Sequence, residues 1–459
     1  MAVKIKIYTL GCKVNQYDSG KLARELAQTG FLLVNKNADI AIINSCAVTK
    51  TAMIKSGHMI KIARKENPRA KITLAGCWPK VYEIKNVDAD FVAGGIKKLI
   101  KQINNQYLKR PETASPVNAG LAMTDRARYF IKIQDGCEQF CSYCIIPYAR
   151  GKLKSREEGE IIIEIKQAVK AGYNEIVLSG IHLGLYQSVI PAYEPESRIQ
   201  RGKQVSAAPA TLCSQGGRGL RIPTTLKLWR TNKPAMTNYN CAPRNDNLVN
   251  LIKKIIKIKN LGRIRLSSIE ITEVTDEMIK LMRESNKICK HLHIPLQSGS
   301  DKILKLMNRP YDAKYFAERI KQIRRAVPDI AITTDVIVGF PGETEKNFRD
   351  TEKFIKQIKF SRLHVFPFSA HVKTPAAKFP GQVQEKIKAR RAKILRELSI
   401  KLAEDFKKKF KGKELEIVVE QIKQNKIIGK TEYYFDVEIN REKIKNIKFK
   451  IGEVLIVKY

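Results

Sequence analysis

The chain has 459 residues, of which 43% are hydrophobic and 28% are charged, as expected for a folded protein of two to four domains. It contains no apolar run long enough to span a membrane and no amino-terminal secretion signal, which argues against a membrane or secreted protein and predicts a cytoplasmic one. Lys and Arg number 85 against 45 Asp and Glu, a formal net charge of +40. This charge indicates either a lysine-rich solvated surface or a polyanionic partner, for which nucleic acid is the commonest candidate.

Residues 1–107 alternate strand-like and helix-like segments and predict an α/β domain. Segments with helical periodicity separate the apolar runs KIKIYTL, ADIAIINS, AKITLAG and ADFVAG. This alternation predicts a parallel sheet with helices on its faces. Cys12, Cys46 and Cys77 each follow one of these runs, and the carboxyl ends of parallel strands meet at one edge of a sheet. The sequence therefore predicts a site of three thiolates that are far apart in sequence but neighbours in space.

Two further domains are predicted after a polar linker, LKRPETASPVNAG. Strand–helix units recur over residues 123–400 and predict a full or partial (β/α) barrel. Residues 408–459 contain short strands without helices, a pattern typical of a small β-barrel. Residues 187–245 are rich in Pro, Gly, Ser, Thr and Arg and have weak periodicity, so we interpret them as an insertion into the barrel.

A second cysteine group lies near the start of the barrel. GCEQFCSYC places Cys137, Cys141 and Cys144 with the spacing C-x3-C-x2-C, which brings three thiolates to one short loop. A zinc site would need a fourth ligand, and none lies nearby. A 4Fe-4S cluster accepts three cysteines and keeps one iron open, so the spacing favours a cluster over zinc or structural cysteines. Cys289 lacks such spacing and is predicted to be buried.

This motif at the end of an early barrel strand resembles the radical S-adenosylmethionine superfamily. The resemblance implies that the open iron chelates S-adenosylmethionine and that an electron from the cluster yields a 5′-deoxyadenosyl radical. Tyr143 stands where that superfamily often has an aromatic residue.

The three N-terminal cysteines, the C-x3-C-x2-C motif and the terminal β domain together resemble the methylthiotransferases along nearly the whole chain. The resemblance implies a second 4Fe-4S cluster on Cys12, Cys46 and Cys77, which supplies or binds sulfur. It also implies that the terminal domain is an RNA-binding TRAM module. The expected enzyme is a monomer served by an electron donor such as flavodoxin or ferredoxin.

Other stretches resemble barrel-strand motifs of this family, namely LSGIHLG, HIPLQSGSD and DVIVGFPGET. They predict polar or glycine contacts to the bound cofactor, although turn chemistry explains each single residue equally well. Arg150 follows the cluster loop and is predicted to meet a cofactor carboxylate, an RNA phosphate or solvent. The predicted cofactor-binding residues are Tyr143, Ser179, Gly180, Gln297, Ser298 and Gly339, with His182 near the same face.

The stretch TLGCKVNQYDS resembles the branch that modifies N6-threonylcarbamoyladenosine at position 37 of tRNA, and Lys13, Val14 and Asn15 decide this assignment. An anticodon loop presents unstacked bases to a protein. The alternatives are another tRNA adenosine, a ribosomal protein, or an inactive RNA-binding homologue that keeps its clusters.

Two features depart from the family pattern. His371 and Lys373 stand where the family usually has Arg and Gly, and the insertion follows GIHLGLY. In the terminal domain the aromatic run in KTEYYFDVEI either stacks on RNA bases or belongs to the domain core. This run is Tyr433, Tyr434 and Phe435.

Overall fold

The structure is a computed structural model that describes residues 2–84, 87–107, 127–187, 246–440 and 450–459. The predicted linker lies outside these residues, and so does the predicted insertion after Gln187. Within the described ranges no helix is both long and apolar enough to cross a membrane.

The N-terminal domain is a five-stranded parallel sheet in the order β2-β1-β3-β4-β5. Its strands are Lys4–Thr9 (β1), Leu32–Leu33 (β2), Ile40–Ser45 (β3), Lys71–Gly76 (β4) and Phe91–Val92 (β5). Its helices are Lys13–Gln28 (α1), Lys50–Glu66 (α2), Trp78–Val81 (α3) and Ile96–Tyr107 (α4). Every residue of the central strand β3 is buried, because helices cover both faces of a parallel sheet.

The second domain contains six parallel strands in two hydrogen-bonded groups, β6-β9-β10 and β11-β12-β13, and two short antiparallel strands, β7 and β8. The strands of this domain are Arg128–Lys132 (β6), Gln134–Asp135 (β7), Lys154–Ser155 (β8), Glu175–Ser179 (β9), Arg263–Leu266 (β10), His291–His293 (β11), Ala331–Val338 (β12) and Arg362–Pro367 (β13). Backbone bridges Ile264–Ile288 and Ser268–His293 join the two groups. The result is a partial barrel, and β7 pairs with β8 as a small antiparallel ribbon beside it.

Helices surround the barrel and bury its outer face. They are Ile146–Arg150 (α5), Glu158–Lys170 (α6), Asp246–Ile256 (α7), Asp276–Glu284 (α8), Asp301–Leu306 (α9), Ala313–Ala326 (α10), Glu345–Ile358 (α11) and Glu385–Lys408 (α12). Short 3-10 turns are Leu183–Leu185, Ile271–Glu273 and Pro375–Lys378. Ile264 and Leu266 pack in the large apolar core with the helices. Arg265 between them therefore points to the barrel interior, which we call the lumen.

The C-terminal residues form a four-stranded antiparallel sheet in the order β16-β15-β14-β17. The strands are Glu414–Ile422 (β14), Lys426–Thr431 (β15), Asp436–Asn440 (β16) and Val454–Lys458 (β17). Buried arginines fix this sheet to the barrel. Arg263 donates to the Lys430 carbonyl at 2.7 Å and Arg265 donates to the Thr431 carbonyl at 2.9 Å.

The aromatic run of this sheet packs against other rings, which supports the core interpretation for Phe435. Phe435 is buried against Phe406 and Phe410. Tyr434 has a φ of 69°, and its ring stacks on His291 of β11 with 4.4 Å between centroids. Tyr433 and Tyr434 are half-buried, so base stacking by these two rings stays a prediction.

Candidate functional site

The first cysteine trio lies on one edge of the N-terminal sheet. Cys46 and Cys77 immediately follow β3 and β4, and Cys12 lies three residues after the end of β1; these strands are adjacent in the sheet. The backbone is packed tightly here, because a Cβ added at Gly11, whose φ is +98°, would lie 3.0 Å from the Cys46 Sγ. Burial raises the pKa of Cys46 to about 11, and the neighbouring Cys77 and Cys12 thiols act in the same direction.

The second trio lies in the loop between β7 and α5. Gly136 precedes Cys137 with a φ of +76°, and a Cβ there would lie 1.9 Å from the Lys152 carbonyl, so this close turn requires glycine. The Cys144 amide donates to the Cys141 carbonyl at 3.0 Å, which holds both thiols on one turn. Burial raises the pKa of both thiols.

The six cysteines of the two trios are free thiols. Across the described part of the chain, no three His, Cys, Asp or Glu side chains converge closely enough to hold one metal ion. Iron–sulfur clusters are held by cysteine thiolates, and each trio offers three of them.

Two buried ion pairs that sequence reasoning did not assign contact the second trio. The His182 Nδ1 lies 3.4 Å from the Cys137 Sγ, and its Nε2 lies 2.5 Å from Glu273. Burial alone would lower the pKa of His182, but its hydrogen bonds with Cys137 and Glu273 outweigh burial and raise the pKa to about 11.

Arg309 makes the equivalent contact on the other side. Its Nη1 lies 3.3 Å from the Cys141 Sγ, and its Nη2 pairs with Glu270. These groups are donors directed at thiolates, which suits an anionic cluster. Glu270 lies four residues after the end of β10, and a charged residue near the carboxyl end of a strand was the signal in the sequence that could have indicated it. Arg309 lies in the turn sequence MNRP, which contains no feature that predicts a contact with the cysteine loop.

Arg150 connects the two trios, so the prediction that it meets a cofactor, RNA or solvent is corrected. It lies on α5, just after the second trio, and its side chain is only 5% exposed. Its Nη1 donates to Asp18 of α1 at 2.7 Å and to Asp135 at 3.2 Å. Its charge also opposes the rise in the pKa of Cys77 that burial causes. Arg150 therefore joins the N-terminal domain to the barrel at the point where the trios face each other.

Two family models match this chain, one on each of the domains that carry a cysteine trio. Residues 4–94 match an uncharacterized protein family, UPF0004, and residues 131–355 match the radical SAM superfamily. A protein of Bacillus subtilis named threonylcarbamoyladenosine tRNA methylthiotransferase MtaB is 35% identical over 99% of this chain and 93% of its own length. The chain belongs to the radical SAM methylthiotransferase family.

Other members of this methylthiotransferase family are similarly related. The MtaB of Thermotoga maritima is 34% identical over 94% of this chain and 90% of its own. A tRNA-2-methylthio-N(6)-dimethylallyladenosine synthase of Thermodesulfovibrio yellowstonii is 32% identical over 99% of this chain and 95% of its own. The radical S-adenosylmethionine methyltransferase TsrM of Kitasatospora setae shares the fold, with a TM-score of 0.51, 11% identity, and coverage of 82% of this chain and 75% of that one.

Three of the predicted cofactor-binding residues also make hydrogen bonds within the methylthiotransferase scaffold. The Ser179 hydroxyl donates to the Ile131 carbonyl at 2.9 Å. The buried Ser298 hydroxyl lies 3.2 Å from the Thr351 hydroxyl. The Gly339 amide donates to Glu343 at 2.6 Å. These three residues stay predicted cofactor contacts.

Tyr143, Gly180 and Gln297 remain predicted cofactor contacts. The Tyr143 hydroxyl lies 3.5 Å from Arg309, beside the second trio. A Cβ added at Gly180 would lie 3.0 Å from the Gln134 Oε1, so this turn is closely packed. Gln297 has a φ of 67°, and its backbone amide donates to the backbone carbonyl of Asp335 at 2.8 Å.

The departure from the methylthiotransferase pattern at His371 has a structural role. This buried ring bridges the two domains, with its Nδ1 2.7 Å from the Tyr82 hydroxyl and its Nε2 2.9 Å from the Val48 carbonyl. Val48 lies two residues after Cys46, a member of the first trio. His371 therefore holds the edge of the N-terminal sheet against the barrel, and Lys373 nearby is exposed.

Proposed function

We propose that this protein is a tRNA methylthiotransferase that adds a methylthio group to C2 of N6-threonylcarbamoyladenosine at position 37. The observation that carries this proposal is the pair of cysteine trios on two domains, in a chain 35% identical along almost its whole length to a relative named for that reaction. Arg150 and His371 fix the two domains against each other, as a reaction that uses both sites requires.

The six cysteines are the proposed ligands of two 4Fe-4S clusters, with Cys12, Cys46 and Cys77 on one and Cys137, Cys141 and Cys144 on the other. When bound, the second cluster supplies an open iron for S-adenosylmethionine and the electron for radical chemistry. Arg309 and His182 orient and charge-balance the thiolates of that trio. In the net reaction S–CH3 replaces the hydrogen on C2. One S-adenosylmethionine would give the methyl group and leave S-adenosylhomocysteine, and a sulfide held at the first cluster would supply the sulfur. A second S-adenosylmethionine, cleaved with one electron from a donor such as flavodoxin or ferredoxin, would take up the C2 hydrogen and leave methionine and 5′-deoxyadenosine. The electron released as the C–S bond forms would return to a cluster.

The RNA partner is the anticodon loop, whose unstacked bases can enter a protein without melting a duplex. The net charge of +40 supports a phosphate-rich partner. We assign the terminal sheet as a TRAM-like RNA-binding domain covering residues 408–459, after a barrel of 123–400 and an N-terminal domain of 1–107. The enzyme is proposed to act as a cytoplasmic monomer.

The second candidate substrate is a dimethylallyl-modified adenosine. It is favoured by the relative of that name, which is 32% identical over 99% of this chain. The two substrates differ in charge at the substituent on N6, because the threonylcarbamoyl group ends in a carboxylate and the dimethylallyl group is apolar. The charges of the side chains that line the nucleoside site therefore help to decide between these two substrates.

The test is reconstitution of both clusters, followed by reaction with tRNA that carries either modification at position 37. Mass spectrometry of the digested nucleosides should show the 2-methylthio product only from N6-threonylcarbamoyladenosine, together with 5′-deoxyadenosine. Product from the dimethylallyl nucleoside alone would assign the second candidate. No 5′-deoxyadenosine under a strong reductant would identify an inactive homologue.

A further inference from the structure

Four cations surround the ring of Tyr434 at the floor of the lumen. The Lys13 Nζ lies 5.7 Å from the ring centroid, and the Lys430 Nζ lies 5.2 Å from it. The guanidinium carbons of Arg265 and Arg128 lie at 5.2 and 6.0 Å. These groups come from α1, the barrel and the terminal sheet, so all three domains contribute positive charge to one place.

Three of these cations have carboxylate partners. Arg265 pairs with Glu175 at 2.7 Å, and Arg128 pairs with Glu420 at 2.6 Å. Lys430 pairs with Asp436. By contrast, Lys13 has no ion pair and no side-chain hydrogen bond among the described residues, and its ammonium faces the Tyr434 ring. The Lys13 residue is partly buried. A cation drawn partly out of water without a carboxylate partner is costly, so this position favours an added anion.

Two more buried nitrogens at this place lack a hydrogen-bond partner within the described residues, although one of them, the Arg128 Nη1, lies 3.7 Å from Glu175. They are the Arg128 Nη1 and the Nδ1 of His291, whose ring is 1% exposed and stacks on Tyr434. The His291 Nε2 is occupied by the Thr333 hydroxyl at 2.9 Å. An unpaired ammonium beside a guanidinium N–H and an imidazole nitrogen suits a carboxylate, which accepts several hydrogen bonds at two oxygens.

Lys13 also connects this place to the first trio, because it directly follows Cys12. Its ammonium therefore lies within one lysine side chain of the site proposed to deliver sulfur. The adenine that receives the sulfur must lie near that edge, with the substituent on N6 extending from the base. A carboxylate at the end of this substituent can therefore reach the Lys13 ammonium, which enters the lumen from the same edge of the N-terminal sheet.

We infer that Lys13, with Arg128 and His291, binds the carboxylate of the threonylcarbamoyl group and selects this nucleoside over apolar N6 substituents. This inference rests on the proposed function and assigns its specificity. A dimethylallyl group placed here would leave the Lys13 charge partly buried and unpaired, which disfavours that substrate.

The test is the affinity of the reconstituted protein for three anticodon stem–loop RNAs. They carry N6-threonylcarbamoyladenosine, its methyl ester or adenosine at position 37. The wild type should bind the acid about ten- to a hundredfold more tightly than the ester. Lys13→Gln should remove this ratio, Lys13→Arg should retain it, and all variants should bind the adenosine RNA equally.

The control is Lys21→Gln, which removes an exposed cation of the same helix, paired with Glu25 at 3.7 Å, and should keep the full ratio. Iron and sulfide content of each variant shows whether the neighbouring Cys12 is disturbed. A Lys13→Gln protein that still prefers the acid overturns the inference, as does a wild type that binds acid and ester equally. A wild type that prefers the acid but yields no methylthio product would instead contradict the proposed function.

Discussion

The guanidinium of Arg150 donates to the Asp18 carboxylate across 2.7 Å and thereby ties helix α5 of the barrel to helix α1 of the N-terminal domain. Asp135 accepts from the same nitrogen at 3.2 Å. Arg150→Met should lower the free energy of unfolding by about 2 kcal/mol, because Asp18 and Asp135 lose one of their two cations and keep Lys132. Urea unfolding followed by circular dichroism measures this change.

Arg283→Met is the matched control for this substitution. Arg283 is 57% exposed and pairs only with its neighbour Glu284 among the described residues, so its loss should change stability by less than about 0.5 kcal/mol. Equal unfolding curves for the two variants would show that Arg150 does not hold the domains together.

Glu175 fixes the terminal sheet to the barrel through two arginines. Its fully buried carboxylate accepts from Arg263 at 2.7 Å and from Arg265 at 2.7 Å, and both arginines also donate to carbonyls of the sheet. Glu175→Gln should cost about 3–5 kcal/mol, because two buried cations lose their counter-charge. Glu416→Gln is the control, since this half-exposed partner of Arg263 should matter little.

The same carboxyl predicts a pH dependence. Burial alone would raise the pKa of Glu175, but Arg265 and Arg263 outweigh burial and hold the pKa well below its usual range. Its stabilisation is therefore complete above the unfolded pKa of about 4.3 and declines at lower pH, by up to about 1.4 kcal/mol per pH unit. The stability difference between wild type and Glu175→Gln should shrink from pH 5 to pH 3. A difference that is constant over this range would contradict the assignment.

The mixed α/β fold was predictable because its signal is local. The apolar run at residues 40–43 of β3 indicates a strand buried on both faces, and such strands occur in parallel sheets. Since parallel strands end at one edge, the positions of Cys46 and Cys77 followed from the strand order alone. The spacing of Cys137, Cys141 and Cys144 was also visible within one short stretch of sequence.

Contacts between distant segments were not predictable in this way. Tyr434 lies in a turn that would look the same if the ring packed in its own sheet, bound a base or, as here, stacked on His291. Arg309 and Glu270 meet at Cys141 only after the barrel closes. From the sequence, the Ser179 hydroxyl could donate to a ligand or to its own sheet. In the structure it donates to the Ile131 carbonyl of the neighbouring strand.

His371 predicts a second pH dependence, at the contact between the domains. Burial lowers its pKa, so the folded protein keeps the ring neutral while the unfolded chain takes up a proton below about pH 6.5. Stability should therefore fall as the pH drops through this value. His371→Gln should lose about 1–2 kcal/mol at pH 8 through its bonds to Tyr82 and Val48, and less at pH 5.5.

The control for this prediction is His58→Gln, because His58 is exposed on α2. Thermal unfolding at both pH values should give the same melting temperature for His58→Gln and the wild type. If His371→Gln is destabilised equally at both pH values, folding does not shift the pKa of this histidine and the prediction is wrong.

The two trios should be separable by substitution, because they lie on different domains. Cys77→Ala should lower the iron content from about eight to about four per chain and keep 5′-deoxyadenosine formation, since the second trio is untouched. Cys137→Ala should also halve the iron but abolish 5′-deoxyadenosine. Cys289→Ala controls for the loss of a buried thiol outside both trios and should keep all the iron. If Cys77→Ala retains the iron content of the wild type, the first trio does not hold a cluster, and sulfur must enter the reaction from elsewhere.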